Sequence, residues 1–397
     1  MRLFLLLLLT LPVLHAQSVK QLINYSIKKH HSLESIKYRL LAMDDRIEKS
    51  QKWANPDLSV TINDIQFRKP LSRDEERMQY QAIHFKQKFP WFGKLAARKT
   101  LANENKHVVL HSLESAQVQL AYKIRMTAYT IKELHSRMHI LKKYIHLAKE
   151  NIKLYTDDIA TDDMSHTGSV EAELTLSKIE IRLERYKSIH QSQKEKLNYL
   201  VQKKVKTISD KLRMKKPKSL GYYLAGVRKN PAYHMKLAQS DVALANKALI
   251  DLEKNPDPYV QASYVNRTDF PDFASITVGV SLPIYGAEEI NSEIAQKEAL
   301  ARKSEYIDYK YQIKSEIREY YAKLKESYKI YHIIQNKSLP QLGHMLELST
   351  SAIEEGADLF TYTKILEQKL ALEEERISIM AEYMRTNAKL KSLTGVK

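Results

Sequence analysis

Apolar side chains recur at seven-residue spacing through the middle of the chain. Ile124, Ile131, Met138, Ile145 and Ile152 form one row, and Leu134, Leu141, Ala148 and Tyr155 stand three residues beyond its last four members. Leu110, Leu113 and Leu120 extend the seam backwards, and Leu176, Ile179, Leu183, Tyr186, Leu197 and Leu200 take it up again. Such spacing predicts long helices packed along their lengths. Glycine and proline are absent from Lys94–Thr167, Ser169–Lys216 and Ala287–Leu339, so no helix breaker interrupts these stretches. As a single helix the first would be roughly 110 Å long, at about 1.5 Å per residue. Asp157–Gly168 reads as the turn between a descending and a returning helix, with Ile353–Gly356 as its counterpart.

Four short segments follow the other period. Leu58, Val60 and Ile62 alternate with Ser59, Thr61 and Asn63, and Ile83 and Phe85 with His84 and Lys86. Val260, Ala262 and Tyr264 alternate with Gln261 and Ser263; Ile276, Val278, Val280 and Leu282 alternate with Thr277, Gly279 and Ser281. Strict alternation predicts strands with one apolar face, joined by polar loops at Arg68–Gln79 and Arg267–Ala274. Two soluble hairpins would alternate in the same way. Each segment is about ten residues, however, the length of a tilted membrane-spanning strand. On that reading Val60, Ile62, Phe85, Val278 and Val280 face lipid, while Thr61, Lys86, Thr277 and Ser281 face a lumen. Four strands cannot close a membrane barrel, because the smallest has eight, so this reading demands an oligomer.

The chain also repeats itself. Asn55-Pro56-Asp57 recurs as Asn255-Pro256-Asp257, and Phe89-Pro90-Trp91-Phe92-Gly93 as Leu282-Pro283-Ile284-Tyr285-Gly286. A helical stretch precedes each first motif (His31–Ala54; Pro231–Lys254) and a breaker-free stretch follows each glycine. The order predicts a duplicated unit: residues 17–220 with a strand pair at 57–89, and residues 221–397 with a strand pair at 258–284. Pro90 and Pro283 cannot donate to a ladder, and Gly93 and Gly286 permit backbone that a side chain hinders, so the four mark strand-to-helix transitions.

Ahead of the first repeat, Met1-Arg2 is followed by an apolar run, Leu3–Leu14, and then His15-Ala16. This is the pattern of a secretory signal peptide, residues 1–16, cleaved after Ala16 and too short to anchor the chain. Composition then narrows the chemistry. There is no cysteine, hence no disulfide and no lipidated N-terminal cysteine. With nine glycines there is no GxGxxG, and Gly93-Lys94 is followed by Leu95 rather than Ser or Thr, which removes the P-loop. No nucleophile–base pair and no HExxH occurs, so no catalysis, cofactor or metal is expected. His107/His111 and His135/His139 have i,i+4 spacing, yet no third ligand accompanies either pair; they read as exposed helix histidines. Lys+Arg outnumber Asp+Glu by 64 to 47, a net charge of +17, with a basic run from Lys203 to Lys218. A nucleic-acid-binding coiled coil would require the signal peptide to be false; the run reads instead as a solvated connector and no nucleic acid as a partner.

Together the residues resemble the TolC-like outer-membrane efflux proteins. The resemblance spans the mature chain and rests on Asn55-Pro56-Asp57-Leu58 before a strand pair, and on Lys88-Phe89-Pro90-Trp91-Phe92-Gly93-Lys94 opening a long helix. It rests equally on Asn230-Pro231, Asn255-Pro256-Asp257-Pro258-Tyr259, Val278-Gly279-Val280-Ser281-Leu282-Pro283-Ile284-Tyr285, and Leu339-Pro340 ahead of Glu355-Gly356. It implies a mainly α fold with a small membrane β part. It further implies a homotrimer whose twelve strands form one outer-membrane β-barrel, continued by a periplasmic α-barrel of coiled-coil helices. The implied function is the exit duct of a tripartite efflux system, partnered by a periplasmic adaptor, outer-membrane lipid and, indirectly, an inner-membrane pump. The first motif is closest in style to the cation-efflux branch. A soluble periplasmic coiled-coil scaffold is the alternative. One departure matters: Lys364 stands where the family often has an acid, with Glu367 matching a second acid, so the turn is carried over without a gate residue. At the two turns Asp162, Asp163, Gly168, Glu354, Glu355, Gly356 and Asp358 are the candidates for a pore tip that receives the adaptor, and the acids for a selective ring.

Overall fold

The computed structural model describes residues 17–158, 163–354 and 359–397, and side chains throughout these except at 151, 154–158, 163–168, 352–354 and 359–360. The expected signal peptide lies outside the described residues. In chain order the elements are α1 (Val19–Lys29), α2 (His31–Ser50), β1 (Asp57–Asn63), β2 (Tyr80–Lys88), α3 (Lys94–Asp158) and α4 (Asp163–Val201). Then come α5 (Leu220–Gly226), α6 (Pro231–Glu253), β3 (Pro258–Arg267), β4 (Phe270–Val280), α7 (Ala287–Ile333), α8 (Leu339–Glu354) and α9 (Leu359–Leu393). Two compact units share them. One comprises Ser35–Glu114 and Pro231–Tyr311; the other comprises Ser115–Asn230 and Gln312–Lys397 together with the chain up to Glu34. Each unit therefore draws on both repeats.

In the helical unit the heptad positions are the core. Leu141, Tyr144 and Ala148 of α3 pack with Ala172, Ile179 and Leu183 of α4 and with Tyr362, Leu366 and Leu370 of α9. Ile124 and Leu141 are fully buried. The start of α1 is fixed by a capping box: Ser18 Oγ accepts the Gln21 amide at 3.2 Å and Gln21 Oε1 accepts the Ser18 amide at 2.8 Å. The first turn is narrower than 157–168, because α3 continues to Asp158 and α4 begins at Asp163. Gly168 consequently lies inside α4. A helical glycine costs only about 1 kcal/mol, and the packing of Ala172, Ile179 and Leu183 outweighs it. Between α7 and α8, Ile334–Ser338 form a π-helical turn. Pro340 has no amide hydrogen for the carbonyl of Asn336 and its ring crowds that carbonyl, and widening the turn accommodates both.

In the other unit the four strands form one antiparallel sheet in the order β1-β2-β3-β4. β3 and β4 are joined by a two-residue turn, with Arg267 opposite Phe270, so the loop expected at Arg267–Ala274 is largely strand. Pro271 misleads the sequence reading because it falls in the register shift between Val265–Phe273 and Arg267–Phe270, where proline is tolerated. β4 also ends earlier than the alternation suggested. Val280 pairs with Pro258, the first residue of β3, and the chain before Pro258 has left the sheet, with Asn255 O and Asp257 held by Lys94. Ser281 thus lies one residue past the end of β4.

Candidate functional site

The register aligns side chains into two unlike faces. Leu58, Phe85, Ala262 and Ile276 stand in one row, and Val60, Ile83, Tyr264 and Ala274 in another on the same face. This face is apolar and open: Leu58 is 72% exposed, Val60 68%, Ile276 77% and Val278 72%. A soluble protein rarely leaves a contiguous apolar surface of this kind uncovered. The opposite face is polar in two adjacent rows and turns apolar toward the β3–β4 turn, where Thr61, Ala82, Val265 and Phe273 align. Asp57, Lys86, Gln261 and Thr277 form one of its rows and Ser59, His84, Ser263 and Ser275 the next. His84 Nε2 lies 2.9 Å from Thr61 Oγ1 and its Nδ1 lies 2.7 Å from Ser263 Oγ, so the imidazole bridges three strands. Lys86 Nζ sits 4.1 Å above the Tyr259 ring. That ring in turn lies across Gly279, where a Cβ would come within 2.4 Å of it.

Each strand pair leaves the sheet through a proline and a left-handed glycine. After β2, the Phe89 amide donates a last sheet-like bond to Pro258 O at 2.9 Å. Pro90 can donate none. Phe92 (φ 54°) and Gly93 (φ 79°) then turn the backbone into α3. After β4, Pro283 and Gly286 (φ 73°) do the same for α7. The first junction also carries an ion pair. Lys94 Nζ, only 4% exposed, donates to Asp257 Oδ1 at 2.7 Å and to Asn255 O at 2.6 Å. The Trp91 amide donates to the same Oδ1 at 3.2 Å, and Lys88 Nζ approaches Oδ2 at 3.8 Å. Burial pushes the Asp257 carboxyl up, but the Lys94 and Trp91 hydrogen bonds and the Lys94 and Lys88 charges outweigh it and hold it below the usual value. The FPWFGK motif of the first repeat thereby grips the NPD motif of the second.

Inside the helical unit a second polar network bridges α3, α4 and α9. Glu133 accepts from Arg137 at 2.7 Å and from Arg385. Glu374 accepts from Arg182 at 2.8 Å and from the Tyr186 hydroxyl at 3.0 Å, and Arg137 donates to that hydroxyl at 2.9 Å. Both carboxylates are buried. Sequence reasoning missed this network and the Lys94–Asp257 pair alike. The one sequence signal that could have hinted at it is the i,i+4 spacing of Glu133 and Arg137, and that cannot announce a partner on another helix.

Of the tip candidates, Asp162, Glu355, Gly356 and Asp358 lie outside the described residues. Asp163 opens α4, Gly168 lies within it, and Glu354 closes α8. Among the described residues no group of acids and histidines could hold a metal ion, and no helix is long and apolar enough to cross a membrane.

No protein-family model matches the chain, and no curated protein does. Solved structures do. The MtrE outer membrane channel of Neisseria gonorrhoeae, in its open state, superposes with a TM-score of 0.79 at 12% identity, over 95% of this chain and 89% of that one. The outer membrane protein VceC of Vibrio cholerae gives 0.78 at 14% identity, over 95% and 96% of the two chains. The CmeC outer membrane channel of Campylobacter jejuni gives 0.78 at 12% identity, over 95% and 85%. The chain therefore has the TolC-like fold of outer-membrane channels: long helices with a small four-stranded antiparallel sheet.

Proposed function

We propose that the chain is the outer-membrane exit duct of a tripartite efflux system, passively conducting what a pump and its adaptor deliver. The observation that carries the reading is the sheet. One face is apolar and open, the other is polar in two adjacent rows, and β1 and β4 are both free edges. Three such sheets joined β4 to β1 make a closed twelve-stranded barrel with no edges left. Val60, Ile62, Phe85, Val278 and Val280 then face lipid, while Thr61, Lys86 and Thr277 line the lumen. Trp91, Phe92 and Tyr285, all exposed, suit a membrane–water interface, where aromatic rings are favoured. The helical hairpins extend into the periplasm. Their turns, including Asp162, Asp163, Glu354, Glu355, Gly356 and Asp358, meet the adaptor, and the acids favour cations. Secretion through the 1–16 signal peptide brings the chain to that compartment.

The deciding experiment compares arginine at two neighbouring sites on β4. Val278→Arg should cost about 2–4 kcal/mol if the site lies near midplane and abolish folded outer-membrane trimers, whereas Thr277→Arg should leave them intact. Equal tolerance of both, or extraction of the wild-type protein without detergent, returns the chain to the soluble-scaffold reading. At the tip, joint neutralisation of Asp162, Asp163 and Asp358 should abolish cation preference in planar-bilayer recordings without loss of trimer. Unchanged selectivity leaves the turns with adaptor docking alone.

A further inference from the structure

The stretch that follows α4 is tied down rather than loose. The Val205 amide donates to Asn198 Oδ1 at 2.8 Å, the Ser209 amide to Gln17 O at 3.1 Å, and the Gln17 amide to Thr207 O at 3.2 Å. So held, it walls a cavity of about 250 Å³ whose other sides come from α3 and α4. The floor is apolar, made of the buried Ile131, Leu197, Val205 and Ile208. Five bases stand around it: Lys132 and His135 from α3, His190 and Lys194 from α4, and Lys206 from the tied stretch.

Among the described residues none of the five bases is in an ion pair. Asp210, which accepts the Val19 amide at 2.6 Å, keeps its charge and its field reaches Lys132, but it pairs directly with none of them. Burial keeps the His135 imidazole below its ordinary range, with Lys132, His139 and Lys142 adding to the effect. Burial, His135 and Lys194 do the same to His190. Burial lowers Lys132, with Asp210 opposing and Lys211 adding to it. Like charges gathered over a low-dielectric floor repel one another, and an anion seated among them would relieve that repulsion.

We propose that this cavity binds a compact amphiphilic organic anion, its carboxylate or phosphate head among Lys132, Lys194 and Lys206 and its apolar body on Ile131, Leu197, Val205 and Ile208. Charge complementarity selects the head. The floor selects a body that inorganic phosphate lacks. The volume, smaller than the roughly 300–1,000 Å³ of a drug-sized site, restricts the body to a short chain or a single ring.

The test titrates the purified full-length protein, held in nanodiscs of zwitterionic lipid, with octanoate, octyl phosphate, inorganic phosphate and uncharged octyl glucoside, subtracting empty discs. At least one of the two amphiphilic anions should bind once per chain, and their relative affinity identifies the preferred head. Lys194→Gln combined with Lys206→Gln should weaken that binding at least tenfold with circular dichroism and assembly unchanged. Affinity for octanoate, which stays ionised over this range, should rise from pH 8 to pH 6, because the bound anion favours the charged forms of His135 and His190. If the double variant misassembles, His190→Gln carries the test through a reduced pH dependence. Octyl glucoside binding as tightly as octanoate, inorganic phosphate as tightly as octyl phosphate, or no binding by either amphiphile overturns the proposal. So does an unchanged affinity in the folded double variant.

Discussion

Pro90–Lys94 and Pro283–Ala287 make the same exit from the sheet with different side chains. Both end a ladder at a proline, and both bend through a glycine of positive φ, 79° at Gly93 and 73° at Gly286. At the first, Lys94 reaches the Asp257 of the second NPD motif. At the second, Ala287 holds the equivalent place and has nothing to offer a carboxylate. The Asp57 of the first NPD motif is exposed, and no ion pair to it exists among the described residues. The two exits share what the backbone requires and differ in charge. The contact within the chain is clamped; its counterpart, which in the proposed trimer lies between chains, is not.

The largest effect is expected at Lys94. Lys94→Met keeps the stem but leaves Asp257 with the Trp91 amide and the more distant Lys88, 3.8 Å away, so the protein should lose about 3 kcal/mol, as for one half of a buried pair. Ala287→Met should change stability by less than about 0.5 kcal/mol. Equal losses in thermal unfolding would break the comparison. The pH dependence sharpens it. The Asp257 carboxyl lies below 3.8 in the folded chain, so its contribution is fully present above that value and is lost as pH falls through the lower folded one. The gap between wild type and Lys94→Met in denaturant unfolding should therefore be widest near neutral pH and narrow as the pH falls. The narrowing begins where Asp257 of the folded variant, raised by the loss of Lys94, takes up its proton, and ends only below the lower wild-type value.

Next come the glycines. No atom lies within 4 Å of a Cβ placed on Gly93, and Glu289 Oε2 lies 3.9 Å from one on Gly286. Replacement by alanine then costs only the left-handed backbone, about 1–2 kcal/mol, and Gly93→Ala and Gly286→Ala should cost the same. A twofold difference in denaturation would show that the two turns are not backbone equivalents. The smallest effect is a gain. Ala287→Lys should supply the missing partner of Asp57 across the proposed subunit boundary and stabilise the trimer by about 0.5 kcal/mol, seen as a higher dissociation temperature. The gain should vanish in an Asp57→Asn background.

What could be read in the sequence was whatever has a period or a breaker. The heptad rows and the alternating strands recur often enough to fix element type, and Pro90, Gly93, Pro283 and Gly286 mark the ends of elements. Single residues misled where context overrides their habit. Pro271 sits in an edge strand and Gly168 inside a helix. The Lys94–Asp257 pair was out of reach for another reason: its partners lie in different repeats, and neither residue type declares a buried role. His135 and His139 are exposed on α3, as their spacing without a third ligand implied; that His135 shares a cavity wall with His190 of the next helix was out of reach.

The two free edges of the sheet govern how a faulty copy would behave among sound ones. β1 and β4 each offer one unpaired ladder, and closure of the proposed barrel requires three matched joints. A chain whose β1 edge is spoiled, for instance by proline at Val60, still presents an intact β4. It can recruit a normal neighbour and then leave the ring unsealed. In a cell making equal amounts of both copies at random, only about one ring in eight would contain normal chains alone. Mutations at the edge strands should therefore be dominant, whereas loss of the whole chain should be recessive.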